Sequence, residues 1–193
     1  MVRAADMEED QRKAVMATLK TDVGDYTVLR EEKVGATVGN ELITNALLAL
    51  LVSWALIILY VAYRFEWRFG VAAVLALIHD ILIVLSVFSL TGRQVDSSFI
   101  AALLTIVGYS INDTIVIFDR IRENLKLHFR RGGDVVQLVN TSILQTLTRS
   151  LYTVFTVLFT TLALYLFGGD TTKDFAFALL VGFACGCYSS IFI

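Results

Sequence analysis

Five long apolar stretches, at about residues 42–63, 69–90, 98–118, 143–167 and 174–193, leave this chain few ways to fold. Each is close to the ~20 residues that a helix needs to cross a bilayer. In hydrocarbon every backbone N–H and C=O must be paired within its own segment or in a closed barrel, so uninterrupted runs of this length predict helices. Composition agrees, because 56% of the 193 residues are hydrophobic and only 18% are charged, too apolar for an ordinary water-soluble domain. The expected fold class is an all-α polytopic membrane protein with about five spans.

Residues 1–40 have a different character. The stretch "AADMEEDQRKAVMATLK" places Ala4, Met7, Val15, Met16 and Leu19 loosely at helical spacing among charges, and "DYTVLREEKVG" has the β-branched and aromatic content of a short strand. A piece of two elements cannot bury a core by itself, so either it packs on a partner or the numbering begins partway through a domain, the α+β tail that the resemblance described below implies. The acidic start does not resemble a secretory signal.

The links between runs set the orientation. The third, "DRIRENLKLHFRRGGD", holds Arg120, Arg122, Lys126, Arg130 and Arg131, and the first holds Arg64 and Arg68; basic links face the cytoplasm. A basic helix is expected at about 119–131, broken by Gly132 and Gly133 before Asp134 caps the next helix. Arg93, Asp96, Asp170, Lys173 and Asp174 then lie outside, as do residues 1–40. A chain that starts outside with no preceding span suggests a further N-terminal part. The net charge of −2 gives no reason to expect nucleic acid as a partner.

Ionisable groups inside the runs are the candidate functional residues, since each costs ~2.5–3.5 kcal/mol at a span's centre. At ~1.5 Å per residue, Asp113 lies roughly 8 Å inside the cytoplasmic end of its span and Arg149 roughly 9 Å inside the same end of the next. Polar stripes run through both: Thr105, Tyr109, Asn112, Asp113 and Arg120 on one, interrupted at Val116, and Ser142, Thr146, Arg149, Thr153, Thr156 and Thr160 on the other. Matched depth predicts that the stripes face each other, with Asp113 beside Arg149 and Tyr109, Asn112, Thr153 and Thr156 lining a polar path. His79 and Asp80 form a second intramembrane pair near the middle of their span.

Plainer readings stand beside these. Asp113 and Arg149 could form a static ion pair, His79 and Asp80 could bond to backbone or to a partner subunit, and the threonines could bond back to their own helix. Gly182 and Gly186 at GxxxG spacing, with Gly108, read as helix-packing positions. Cys185 and Cys187 point to different helix faces and suit neither a disulfide nor a metal site. No Ser/His/Asp set, metal-ligand cluster or phosphate loop has convincing spacing, and His79 and His128 lie at different depths, so no enzyme is expected.

The segment "GYSINDTIVIFDRIREN" resembles the fourth transmembrane segment of the SecF branch of the SecD/SecF protein-export family. "VGATVGNEL", the "HD" of His79 and Asp80, "QTLTRS", "YLFGGD" and "GCYSSIFI" extend the resemblance over most of residues 34–193. Departures are small: Ala36 stands where the family often has proline, and Ser150 where it has threonine. The family's first span and most of its small domain do not match anything here, which implies the C-terminal part of a SecF or a fused SecDF.

The resemblance implies a bundle of the resistance-nodulation-division (RND) type, with SecD, the SecYEG channel and YajC as partners and translocating preproteins as cargo. It implies residence in the bacterial inner membrane and coupling to the proton motive force, with protons as the coupling ion and no cofactor. Asp113 and Arg149 match the residues associated with proton passage in that family. Two other readings remain at this stage: a structural subunit of the translocase with no proton role, and an exporter of small molecules or lipids from the same superfamily.

Overall fold

The computed structural model describes residues 9–24, 36–93, 95–128 and 134–193. The chain divides into two units, residues 1–45 and 46–193. In the first, α1 (Glu9–Val23) carries Glu9 and Asp10 in its first turn and Lys20 in its last, as the helix dipole favours. It ends at Gly24, whose φ of +88° suits a residue without Cβ. The strand expected over 25–35 lies outside the described residues.

Helix α2 (Ala36–Arg64) begins in the first unit and ends in the second, which continues with α3 (Trp67–Thr91), α4 (Ser97–His128), α5 (Val135–Phe167), a short 3₁₀ turn (Asp170–Thr172) and α6 (Lys173–Phe192). Five helices, α2 to α6, are long and apolar enough to cross a membrane, and no strand occurs among the described residues. The chain is an all-α, multi-pass membrane protein.

The basic helix expected over 119–131 is, as far as the described residues go, the end of α4, which runs unbroken to His128, while residues 129–131 lie outside the described residues. Nothing between 113 and 128 interrupts the backbone: there is no proline or glycine, and Arg, Glu, Lys and Leu all favour helix. At ~1.5 Å per residue, α4 and α5 are each about 50 Å long, well beyond the ~30 Å hydrocarbon core, so both protrude at the end carrying their shared link. There Asn124 donates to Ser142 Oγ (2.8 Å) and Gln145 Oε1 (3.0 Å), and Arg122 donates to the Arg64 carbonyl (3.0 Å). Asp134 caps α5 by accepting from the Val136 N–H at 2.9 Å.

At the opposite end α3 closes on Gly92 (φ +61°), and Arg93 reaches across to α6, where it pairs with Asp174. The Arg93 guanidinium also lies 4.0 Å from the centre of the Phe177 ring and 3.4 Å from the Tyr165 hydroxyl. The core between the two ends is built by α3, α4 and α6 around Leu77, Val84, Phe88, Phe99, Ile106 and Phe183, with Phe88 and Phe99 4.2 Å apart between ring centres. α6 packs against α3, α4 and α5. Exposed leucines such as Leu51, Leu59 and Leu82 face outward, as a lipid-facing surface requires.

Candidate functional site

Asp113, on α4, is 8% exposed and lies where α4, α5 and α6 meet. Its Oδ1 accepts from Ser150 Oγ of α5 at 2.6 Å, and its Oδ2 from Ser190 Oγ of α6 at 2.9 Å. Arg149 is not its partner: among the described residues no ion pair joins the two, and the matched-depth expectation is corrected to this extent. Depth along a helix fixes level but not direction. One residue turns α5 by ~100°, and it is Ser150 that points at the acid while Arg149 faces an open groove.

That groove, about 470 Å³, lies between α4, α5 and the end of α2, and is lined by Tyr60, Arg64, Asp119, Arg120, Glu123 and Arg149 among others. Arg120 donates to Glu123 and Gln145 at 2.6 Å each, and Arg64 lies 3.8 Å from Asp119. Arg149 thus faces a groove with charged residues on its walls, one residue along α5 from the serine that holds the buried acid.

Asp80, on α3, is completely buried. Its Oδ2 accepts from Ser110 Oγ of α4 at 2.7 Å and Ser189 Oγ of α6 at 2.8 Å. The other oxygen, Oδ1, lies 3.3 Å from Nδ1 of His79, whose side chain is 33% exposed. A small cavity of about 40 Å³ is lined by both Ser189 and Ser190 together with Thr114 and Phe118, which is room for a water with polar partners on more than one side.

The remaining sequence candidates separate. The Tyr109 ring packs against Phe183 in a tilted arrangement, 4.5 Å between centres, and its buried hydroxyl has no partner among the described residues. Asn112 is exposed on α4. Thr153 and Thr156 bond back to the carbonyls of Arg149 (2.9 Å) and Thr153 (2.8 Å), the plainer of the two readings. Gly182 and Gly186 lie against Ile106 and Ser110 of α4, whereas a Cβ at Gly108 would meet nothing within 4 Å, so Gly108 makes no close helix contact here. Among the described residues no group of three or more His, Cys, Asp or Glu side chains could hold a metal.

Four serines, 110, 150, 189 and 190, hold the two acids, and sequence reasoning assigned none of them a role. The available signal was weak. Ser110 stands three residues before Asp113, and the pair Ser189–Ser190 is conspicuous only because its run is otherwise apolar.

Two buried carboxyls held by hydroxyls within a helical bundle define a polytopic membrane protein with ionisable groups at its core, a feature of membrane proteins that move ions or protons. The sequence profile described as protein export membrane protein SecD/SecF, C-terminal, matches residues 14–193. The chain belongs to the SecD/SecF family of protein-export membrane proteins. It is 51% identical over 193 residues to the protein translocase subunit SecF of Acidaminococcus fermentans, covering all of this chain and 66% of that one. It is 50% identical over 184 residues to the protein translocase subunit SecDF of Thermus thermophilus, covering 95% of this chain and 25% of that one. A crystal structure of SecDF from Thermus, described as a translocon-associated membrane protein, superposes with a TM-score of 0.85 at 50% identity, over 95% of this chain and 25% of that one. The chain therefore spans about two thirds or less of the length of these relatives.

Proposed function

We propose that this chain is the membrane-embedded C-terminal part of a SecF-type subunit that assists preprotein export through the SecYEG channel, drawing on the proton motive force. Family membership supports the export role. The proton role rests on one observation: Asp113 lies buried at a three-helix junction with neutral hydroxyls as its partners.

Among the described residues no cation pairs with a carboxylate in that position, which makes its charge costly. The serines suit both of its forms. Ser190 Oγ is 2.9 Å from Asp113 Oδ2 and 3.1 Å from the Cys187 carbonyl. With a single proton it donates to one acceptor at a time. Turned to the carboxylate it stabilises the charged form; turned to the carbonyl it offers a lone pair to the protonated acid. No heavy atom has to move.

Arg149 supplies the second state. A shift of α5 that brings its guanidinium to Asp113 favours the carboxylate and expels the proton; withdrawal into the groove, the arrangement here, favours uptake. Each proton crossing 100 mV releases ~2.3 kcal/mol, enough to bias two packings that differ by a few kcal/mol. On this reading the subunit performs no covalent chemistry and needs no cofactor, protons being the coupling ion. Its partners are SecD, separate or fused, SecYEG and YajC. The end bearing Arg64, Arg120 and Arg122 faces the cytoplasm of an inner membrane, and residues 1–40 lie outside.

The test is force-dependent completion of preprotein export in vesicles carrying the full complex, with Asp113→Asn and Arg149→Ala at equal assembly. Loss of the force-dependent part alone is expected. Unchanged force dependence in both variants would leave a structural subunit as the better reading.

A further inference from the structure

The proton path described so far uses one acid, yet the bundle buries a second one more deeply and holds it through the serine next in sequence on the same helix, α6. Asp80 has no cation in contact other than the imidazole that His79 would become if protonated. Among the described residues, the titratable groups shown beside it are His79 on its own helix and Cys185 on α6, with Tyr188 of α6 against the His79 ring, while Tyr109 of α4 and Cys187 of α6 lie beside Asp113; none is a lysine or arginine.

The serine on α6 that holds Asp80 has the same two-acceptor geometry as the one that holds Asp113. Ser189 Oγ is 2.8 Å from Asp80 Oδ2 and 3.2 Å from the Gly186 carbonyl. Ser189 and Ser190 are consecutive, and both line the cavity of about 40 Å³. A water there can bridge the two hydroxyls. The two oxygens of Asp80 also serve different neighbours: Oδ2 faces the serines and Oδ1 faces the half-buried His79.

We infer that Asp80 is a second proton-carrying carboxyl, exchanging protons with Asp113 through Ser190, a cavity water and Ser189, and with the outside of the bundle through His79. In the exchange an O–H bond breaks at Asp113 and one forms at Asp80, each intervening hydroxyl or water giving up one proton as it takes another. Asp113 ends as carboxylate and Asp80 as acid, so charge and protons balance. Proton entry and exit therefore occur on different faces of the bundle, the groove of Arg149 and the side of His79. The inference rests on the proton-coupled reading of Asp113.

The experiment is infrared titration of the protonated-carboxyl band of the full complex in lipid, alongside force-dependent export, for wild type, Asp80→Asn, Asp113→Asn and Ser189→Ala. Across the pH range in which the complex stays assembled, wild type is expected to show two buried carboxyls that each exchange a proton. Asp80→Asn should remove one band, and Asp113→Asn should move the midpoint of the survivor. Ser189→Ala, which keeps both acids, should leave both bands and lower force-dependent export by about tenfold. A single protonation state of Asp80 across that range, in wild type and in Asp113→Asn, would overturn the inference even if Asp80→Asn failed to assemble. Should Asp113→Asn abolish force dependence while Asp80→Asn and Ser189→Ala export normally, this inference falls and the single-acid reading stands. Should Asp113→Asn itself be silent, the underlying reading falls with it.

Discussion

Replacing Gly182 by alanine should destabilise the bundle, because the added carbon has nowhere to go. A Cβ at that position would lie 2.2 Å from Ile106 Cδ1, 2.4 Å from Cγ1 and 2.9 Å from Cγ2, against the ~3.5–4.0 Å at which carbons pack. Rotating Ile106 about its first side-chain bond exchanges one γ-carbon for the other, and both are too close. Ile106 is also completely buried, with no solvent to turn into. Overpacking of this kind costs about 1–3 kcal/mol, offset by up to about 1 kcal/mol from alanine's better helix propensity, which leaves a net loss of about 1–2 kcal/mol. Gly186→Ala meets Ser110 Cβ at 3.3 Å and should be near neutral, while Gly108→Ala meets nothing and should be neutral or slightly stabilising. The assay is reversible unfolding of the purified protein in lipid–detergent micelles, followed by helical circular dichroism. Ile106→Ala alone should cost about 2–5 kcal/mol, and about 1–2 kcal/mol less in the Gly182→Ala background because the obstruction is gone. Additivity of the two substitutions within about 0.5 kcal/mol would refute the clash as the cause.

Two further substitutions probe the ends of the polar chain. Ser150→Ala removes the 2.6 Å donor to Asp113 and should cost about 1–3 kcal/mol where the acid is charged. Ser150→Thr, which keeps a hydroxyl at the same position, should behave as wild type; equal losses for the alanine and threonine variants in the same unfolding assay would contradict this. Arg93→Ala breaks the Asp174 pair and the contact with Phe177, and a loss of about 1–3 kcal/mol is expected. Arg93→Lys should recover less than half of it, because an ammonium cannot pair, stack and donate to Tyr165 at once. Full recovery by lysine in the same unfolding assay would show that charge alone matters there.

Hydrophobic runs carried the helices into view because lipid leaves so few alternatives, and Asp134 was legible as a cap from its place before an apolar stretch. The level at which α4 and α5 meet was legible as well, since it depends only on counting residues, and Asp113 does contact α5 next to Arg149. Azimuth was not. Asp113 and Arg149 were expected to meet from their matched level, yet facing is decided by packing, and Ser150 took the position by a single residue's rotation. The same limit applies to the glycines: Gly108, Gly182 and Gly186 look alike in sequence, and only the approach of Ile106 and Ser110 separates the two that pack from the one that does not. A serine's role in holding an acid leaves no mark in composition or periodicity, so the four that do so stayed hidden.

The order of synthesis gives the serines of α6 a temporal meaning. Ser189 is made 109 residues after Asp80, and Ser190 77 residues after Asp113. At roughly 5–20 residues per second, Asp80 waits about 5–20 s for its second hydroxyl. During that interval α3 and α4 carry carboxyls whose final surroundings do not yet exist. They must therefore be kept hydrated or protonated at the insertion site, and the arrival of α6 closes both acids at once, so that a ribosome stalled before this helix would leave two half-dressed acids as a mark of the unfinished chain.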